Sequence, residues 1–464
     1  MKKSVSLILV FLFIVSVTSF SAQKEWTVMI FLNGDNNLEQ FSISDVIEAE
    51  AVGSSDKVNI LIQFDRAEGY DTSNDNWTDT RIFYVEKSED NSKINSKPIK
   101  MLGEVDMGDW KEAAKFFKFS VDNYPAKKYM FVYWNHGAGW LKRGEEEPVK
   151  GISYDDESGN HIDSPDLKKA SDEMARYLGR KVDIISFDAC LMAMVEIQAQ
   201  MEDAADVMIG AQETEPADGW PYTPILKAMI TNPNMNSTDV GKVAVDEYIA
   251  SYANSYSWWY GLQAVNQSAN YVAKVNEIME AVDAFAEAII KEKDFGAFEY
   301  ALNGSQSFAY SFYKDLVHFA QLVKDRTTSN VIKVRADKVM EAVRKSVFAN
   351  KWQNDKMKNS NGLSIYVPKA NEYKSHYVHT EFAKKTAWDE LLLAYYGKSY
   401  ARETVENYIN SYGTEEEESY RMHIVRAVEL GNDEMLDEVM QAYDNNTEMF
   451  TSLYLNLEEV LVNK

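Results

Sequence analysis

Two residues that could form a nucleophile and its base each follow an apolar segment of the chain. Cys190, the single cysteine among 464 residues, follows the run 184–187, and His136 follows the run 129–134. Both runs are typical of buried strands, and open α/β sheets bind ligands at the carboxyl ends of their strands. A thiol beside an imidazole could attack a carbonyl carbon. Taken singly, an inert buried cysteine and a structural histidine remain the alternatives.

Backbone groups around the two residues could assist this chemistry. A Gly-Ala-Gly segment begins directly after His136, and glycine lets the main chain approach a substrate closely. The amides of Gly137 and Cys190 could donate hydrogen bonds to a developing oxyanion. Cys190 also opens a helix predicted at 191–203, whose N-terminal dipole would favour the thiolate.

Two aspartates close to Cys190 in the sequence suggest a substrate preference. Asp188 is two residues before the cysteine, so both side chains of an extended chain would lie on one side. Asp218 follows the next predicted strand. Carboxylates in a cleft favour a cationic side chain, with arginine bound through two hydrogen bonds and lysine as a point charge. Each aspartate could equally be a cap or turn residue.

The elements that carry these residues alternate between strand and helix. Apolar runs predict strands, amphipathic stretches predict helices, and together they indicate an α/β fold with a mostly parallel sheet flanked by helices. The predicted strands are 25–32, 57–64, 80–85, 127–134, 181–187 and 206–211. The predicted helices of this part are 38–51, 109–124, 163–178 (capped by Ser164) and 191–203.

The pattern changes after about residue 230. Residues 231–400 are predicted to be mainly helical, with the clearest helices at 239–251, 271–290, 331–349 and 377–396. One late strand is predicted at 362–368, where it ends in proline. Residues 401–464 are predicted to form helical C-terminal additions with an acidic surface.

Composition restricts the class of protein. The net charge of −25 argues against nucleic-acid binding, because an acidic chain is poorly suited to neutralising phosphates. Residues 1–22 have the basic start, apolar centre and small final residues of a signal peptide, with an uncleaved anchor as the alternative. No later segment is predicted to enter a membrane. We therefore expect a secreted or cell-envelope protein, and its single thiol cannot form an internal disulfide.

Several segments resemble the clostripain family of cysteine peptidases. These segments are WTVMIFLNGDNNL at 26–38, WNHGAGW at 134–140, FDACLMA at 187–193 and GLSIYVP at 362–368. The resemblance covers residues 24–397 and implies a caspase-like fold. The pattern of elements predicts a catalytic core at 23–230, a mainly helical region at 231–400 and an extension at 401–464, and the resemblance does not cover that extension.

The resemblance further implies what the enzyme would do. Cys190 would be the nucleophile and His136 the base, and substrates would be peptides or proteins cleaved after arginine or lysine, recognised by Asp188 and Asp218. Family members are often zymogens that cut themselves between the histidine and cysteine blocks. In this chain we expect that cut after Lys150, with Arg143 and Lys142 as the next candidates.

Metal binding and two other functions remain open at this point. No cofactor is expected for the chemistry itself. Some family members need calcium, and Asp155, Asp156 and Glu157 offer carboxylates, but no recognisable loop assigns its ligands. The spacing of His376 and His379 is only a weak metal signal. The alternative functions are a non-catalytic surface binding module and a cysteine-dependent amidase or acyltransferase.

Overall fold

A computed structural model describes residues 23–141, 151–253, 255–257 and 261–396. The predicted signal peptide at 1–22, the three candidate cleavage sites at 142–150 and the acidic extension at 401–464 lie outside these residues. No helix in the described part of the chain is long and apolar enough to cross a bilayer.

The bounds of the elements follow the predicted order closely in the first half of the chain. The strands are β1 (Lys24–Gly34), β2 (Val58–Arg66), β3 (Thr80–Tyr84), β4 (Pro98–Gly103), β5 (Ala126–Trp134), β6 (Ile152–Asp155), β7 (Asn160–Ile162), β8 (Val182–Asp188), β9 (Ala205–Gly210), β10 (Tyr256–Ser257), β11 (Gly261–Leu262), β12 (Val265–Tyr271), β13 (Tyr313–Asp315), β14 (Val347–Gln353) and β15 (Ser364–Tyr366). The α-helices are α1 (Glu39–Glu50), α2 (Trp110–Asn123), α3 (Ser164–Leu178), α4 (Val195–Gln200), α5 (Tyr222–Thr231), α6 (Ser237–Tyr252), α7 (Val275–Glu292), α8 (Phe295–Gly304), α9 (Leu316–Arg326), α10 (Asn330–Ser346), α11 (Glu381–Lys384) and α12 (Trp388–Tyr396).

Nine strands form one central sheet in the order β14-β12-β9-β8-β5-β1-β2-β3-β4. The five middle strands, from β9 to β2, run parallel to their neighbours, which confirms the predicted parallel core. Each edge differs from the prediction because two antiparallel strands extend it, β3 and β4 at one side and β12 and β14 at the other. The central residues of the parallel strands are mostly apolar because helices cover both faces of the sheet.

Two hydrophobic cores lie on opposite faces of the sheet. Side chains alternate along β1, so that Met29 and Phe31 enter one core while Ile30 and Leu32 enter the other. The first core contains side chains of α2, α3, α4 and α7 to α10, and the second contains side chains of α1, α5 and α6. This double cover holds the carboxyl ends of β1, β5 and β8 in fixed positions.

Several predicted features outside the active site differ from the structure. Residues 231–400 contribute β12 and β14 to the central sheet, so the predicted boundary at 230 does not divide the sheet from a helical region. The helix predicted at 331–349 ends at Ser346, where β14 takes over. The helix predicted at 377–396 is interrupted between α11 and α12. The cap of α3 is Asp163 instead of Ser164, because the Asp163 side chain accepts the Asp166 amide.

Candidate active site

Cys190 and His136 lie at the same edge of the sheet. Strands β5 and β8 are adjacent and parallel, and their last residues, Trp134 and Asp188, pair in register. His136 and Cys190 each follow two residues later, so the register delivers both side chains to one place. They line a common pocket of about 200 Å³. Its lining residues are Leu38, Trp134, Asn135, His136, Asp188, Ala189, Cys190, Glu215, Pro216, Ala217 and Gly219.

Gly137 lies directly against the backbone of Cys190. A Cβ atom at position 137 would be 2.3 Å from the Cys190 carbonyl oxygen and 3.1 Å from the Cys190 nitrogen. Both distances are below normal contact, so a side chain would push the two segments apart. The chain thus brings together the two residues whose amides we predicted as oxyanion donors.

The imidazole of His136 is held by a residue that the sequence analysis missed. Its Nε2 atom is 2.7 Å from the Oδ1 atom of Asn37, which lies in the loop between β1 and α1. The polar segment NGDNN at 33–37 was the available signal, because it follows the strand predicted at 25–32 and so lies at the same edge of the sheet. Burial lowers the pKa of His136, and the nearby charge of Asp156 offsets part of this change. A neutral imidazole is the form that can accept a proton.

The thiol of Cys190 is not activated in the way that we expected. The helix that was to begin at 191 starts only at Val195, and Leu191 has a φ angle of +67°, so no helix N-terminus adjoins the sulfur. The amide of Glu215 donates to Sγ at 3.2 Å. Burial, and to a lesser extent the charge of Glu215, raises the pKa of Cys190 to about 12. The sulfur therefore rests as a thiol, which must lose its proton during attack.

A buried carboxyl pair forms one wall of the pocket. Asp188 accepts hydrogen bonds from the Trp220 amide at 3.1 Å and the Tyr222 hydroxyl at 2.8 Å. Glu215 lies against it and accepts from Gln267 of β12 at 3.2 Å. Burial raises the pKa of Asp188 to about 6 and, with the charge of Asp188, raises that of Glu215 well above its usual range. Each carboxyl of the pair therefore disfavours ionisation of the other.

The two predicted recognition aspartates have different surroundings. Asp188 is 4% exposed and lines the pocket. Asp218 is exposed and is not among the residues that line the pocket. Burial raises the pKa of Glu48, and the charge of Asp218 adds a smaller increase. Glu215, which the sequence analysis did not single out, lies beside Asp188 in the lining of the pocket.

Of the residues predicted as possible metal ligands, only one lies in a group that could hold an ion. Within the described chain, His376 and His379 belong to no group of three potential ligands, and the His376 ring packs on Trp140 with centroids 5.2 Å apart. Asp155 does belong to such a group, with Asp35, Asp65 and Glu104, whereas its neighbours Asp156 and Glu157 do not.

Comparison with known proteins agrees with this arrangement. The model of the clostripain family (peptidase family C11) matches residues 30–396. Clostripain from Hathewaya histolytica is 22% identical over an alignment of 432 positions, and the match covers 79% of this chain and 79% of clostripain.

Two solved structures have the same fold. A secreted C11 cysteine protease from Bacteroides thetaiotaomicron, bound to an irreversible peptide inhibitor, has a TM-score of 0.60 and 20% identity, covering 79% of this chain and 100% of its own. An inactive zymogen C11 protease from Parabacteroides distasonis has a TM-score of 0.55 and 18% identity, covering 78% and 98%. The predicted α/β, caspase-like fold is confirmed. Since the family model extends over most of the sequence, the chain belongs to the clostripain family and is a cysteine peptidase.

Proposed function

We propose that the protein is an exported endopeptidase that cleaves peptide bonds after arginine or lysine, with Cys190 as nucleophile and His136 as base. The observation that carries this proposal is the shared pocket, which both side chains line together with the buried carboxyl pair of Asp188 and Glu215. One cavity thus offers a nucleophile, a proton acceptor and a binding place for a cation.

The hydrogen bond that His136 donates to Asn37 determines how His136 would act. An Nε2–H donor to Asn37 leaves Nδ1 as the proton acceptor. As Sγ of Cys190 attacks the substrate carbonyl, its proton passes to Nδ1, and the amides of Gly137 and Cys190 donate to the oxyanion. Collapse breaks the C–N bond, and the imidazolium gives its proton to the departing amine. Water, deprotonated by the same imidazole, then hydrolyses the thioester. The two side chains supply every proton transfer, so we propose no cofactor for the chemical step.

Charge explains the proposed preference for basic substrates. An arginine or lysine side chain entering the pocket would lose water, and the Asp188–Glu215 pair would replace it with opposite charge. Hydrogen bonds from Trp220 and Tyr222 fix the Asp188 carboxylate, so little reorganisation accompanies binding. An uncharged side chain of the same size would leave this buried charge without a partner.

We also propose that the chain matures by cutting itself after Lys150, or after Arg143 or Lys142. These basic residues match the preference of the pocket, and they lie between β5, which carries His136, and β8, which carries Cys190. The N-terminal sequences of the purified protein would report this cut together with removal of residues 1–22, on which the proposed export depends.

The decisive experiment uses the full chain and its Cys190→Ala variant. We expect the wild-type protein to release the reporter from arginine and lysine amides and the variant to release none. A peptide ketone ending in arginine should label only the wild-type protein, at Cys190. Cleavage by the variant would refute the mechanism. Labelling without cleavage of any basic peptide would instead favour an amidase or acyltransferase, and the absence of both would favour a binding module.

A further inference from the structure

A buried tyrosine from the second half of the chain holds the segment that follows His136. Tyr313 lies in β13 and is fully buried. Its hydroxyl donates a hydrogen bond to the carbonyl oxygen of Ala138 at 2.7 Å. A buried carbonyl oxygen needs such a partner, and this one comes from a residue 175 positions further along the chain.

Both main-chain groups of Ala138 are fixed by hydrogen bonds. Its amide donates to the Gly151 carbonyl at 2.9 Å, and its carbonyl accepts the Tyr313 hydroxyl. Gly137, whose amide is the proposed oxyanion donor, is the preceding residue and pairs with Ile152. The position of the Gly137 amide therefore depends on the groups that hold Ala138.

The next residue, Gly139, packs directly on the same tyrosine. It has a φ angle of +68°, and a Cβ atom there would be 2.9 Å from the Tyr313 hydroxyl oxygen and 2.5 Å from the sulfur of Met194. Only glycine combines this left-handed backbone with room for the two side chains. Tyr313 thus packs against the segment whose carbonyl it binds.

The strand that carries Tyr313 also reaches the segment after Cys190. Strand β13 pairs with β15, so that Asp315 lies opposite Ser364. The Ser364 amide donates to the carbonyl of Ala193, three residues after the cysteine, at 2.9 Å. One pair of strands therefore contacts the segments that carry both proposed oxyanion donors.

We propose that Tyr313 is a positioning residue, which holds the Gly137 amide where it can donate to the oxyanion. This inference rests on the proposed function, in which the amides of Gly137 and Cys190 stabilise the tetrahedral intermediate. Tyr313 does not touch the substrate and acts through the main chain at 137–139. A donor that is free to move stabilises the oxyanion less, and the loss appears only in the transition state.

The kinetic test uses Tyr313→Phe, which removes the hydroxyl and keeps the buried ring. Loss of a whole oxyanion donor lowers kcat roughly 100- to 1000-fold, and a displaced donor should cost less, so we expect a fall of about tenfold. KM for an arginine amide should change less than about twofold, because the pocket residues are untouched. An aldehyde ending in arginine adds the Cys190 thiol to its carbonyl carbon and places its oxygen at the oxyanion position, so its binding should weaken about tenfold.

The matched control is Tyr366→Phe. Tyr366 lies opposite Tyr313 in β15, is equally buried, and its hydroxyl also donates to a main-chain carbonyl at 2.7 Å, that of Glu372. Each variant loses one hydrogen bond of a buried tyrosine, so we expect similar decreases in melting temperature. Only Tyr313→Phe should lose kcat, since Glu372 is not among the residues that line the pocket.

Hydrogen exchange tests the positioning without catalysis. In the full chain carrying Cys190→Ala, mass spectrometry would follow peptides that contain residues 136–139. The Ala138 amide is hydrogen bonded to Gly151, so its exchange reports the opening of this segment. Exchange should become about tenfold faster when Tyr313→Phe is added, because opening then breaks one hydrogen bond fewer. Adding Tyr366→Phe should leave the rate unchanged.

The inference fails if kcat is unchanged in Tyr313→Phe, or if kcat falls while exchange at 136–139 stays the same. It also fails if kcat falls equally in Tyr366→Phe or if KM rises instead, since the hydroxyl would then act on stability or on substrate binding. If the wild-type protein cleaved no basic peptide, the proposed function would fail, and unchanged exchange would still refute the role of Tyr313 in holding this segment.

Discussion

Replacing Asp188 with Asn tests the origin of the proposed preference for basic substrates. The substitution keeps the size of the side chain but removes its charge, so an incoming guanidinium would be buried with only the Glu215 carboxyl beside it, and burial raises the pKa of that carboxyl. Breaking one partner of a buried ion pair costs 3–5 kcal/mol in general, and Glu215 can still ionise, so we expect the lower end. About 3 kcal/mol corresponds to a roughly 150-fold loss of kcat/KM for an arginine amide.

The matched control is Asp218→Asn. Asp218 is exposed and outside the pocket lining, and exposed charges contribute about 1 kcal/mol or less, so we expect at most a roughly fivefold loss. The readout is the ratio of kcat/KM for arginine and citrulline amides, because citrulline has nearly the same shape without the charge. A general defect of folding lowers both rates and leaves their ratio unchanged. If Asp188→Asn kept the wild-type ratio while Asp218→Asn lowered it strongly, our assignment of the cation site would be wrong.

Three further outcomes follow from the buried titratable groups. Because the pKa of Asp188 is raised to about 6, the arginine-to-citrulline ratio should fall about tenfold per pH unit below pH 6, as protonation removes the attracting charge; a ratio constant to pH 5 would contradict this. Burial raises the pKa of Glu196 from 4.5 to about 7, so its contribution to stability is complete below pH 4.5 and is lost as the pH rises through 7. As the pH rises from 4.5 to 8, the unfolding free energy of Glu196→Gln should therefore increase by about 3 kcal/mol relative to that of the parent, as measured by urea titration at each pH. Equal changes of unfolding free energy with pH in the two proteins would argue against this contribution. Finally, methylguanidinium in the pocket should offset the carboxylate charge that helps to raise the pKa of Cys190. We therefore expect iodoacetamide to alkylate the thiol several-fold faster in its presence, whereas uncharged methylurea should not accelerate the alkylation.

The sequence was sufficient for the parallel core and for the meeting of Cys190 and His136. Strands β1, β2, β5, β8 and β9 are buried on both faces along most of their length, so each contains a mostly apolar run that can be recognised without a structure. The residues after parallel strands must meet at one edge, whatever the loops do. This rule needs only the order and direction of the strands, and that is why the site could be located in advance.

Strand β12 could not be recognised in the same way. Its sequence, VNQSANY, is largely polar, yet most of it is buried. The polar side chains have partners that only the folded chain supplies: Asn266 accepts the Gln212 amide, and Gln267 donates to Glu215. A strand whose inward side chains serve a polar pocket lacks the apolar pattern on which prediction depends.

The late start of α4 has a tertiary cause as well. Propensity favours a helix directly after Cys190, but the Ala193 carbonyl accepts the Ser364 amide of β15, and Met194 pairs with Ser364. This contact holds the segment extended until Val195. The expected activation of the thiol by a helix dipole failed because a contact across about 170 residues decided the local backbone, and local sequence contains no signal of it.

The pairing of β5 with β8 has a consequence for the proposed maturation. A cut anywhere between residues 142 and 150 would leave β1 to β5 and His136 on one fragment, and β6 to β15 and Cys190 on the other. Hydrogen bonds between β5 and β8, from Met130 opposite Ile184 to Trp134 opposite Asp188, would then join two separate polypeptides. Neither fragment contains the whole central sheet, so each would be an incomplete template for folding if it were synthesised alone. The mature protein would be a tightly associated heterodimer whose subunit interface runs through the middle of its own hydrophobic core.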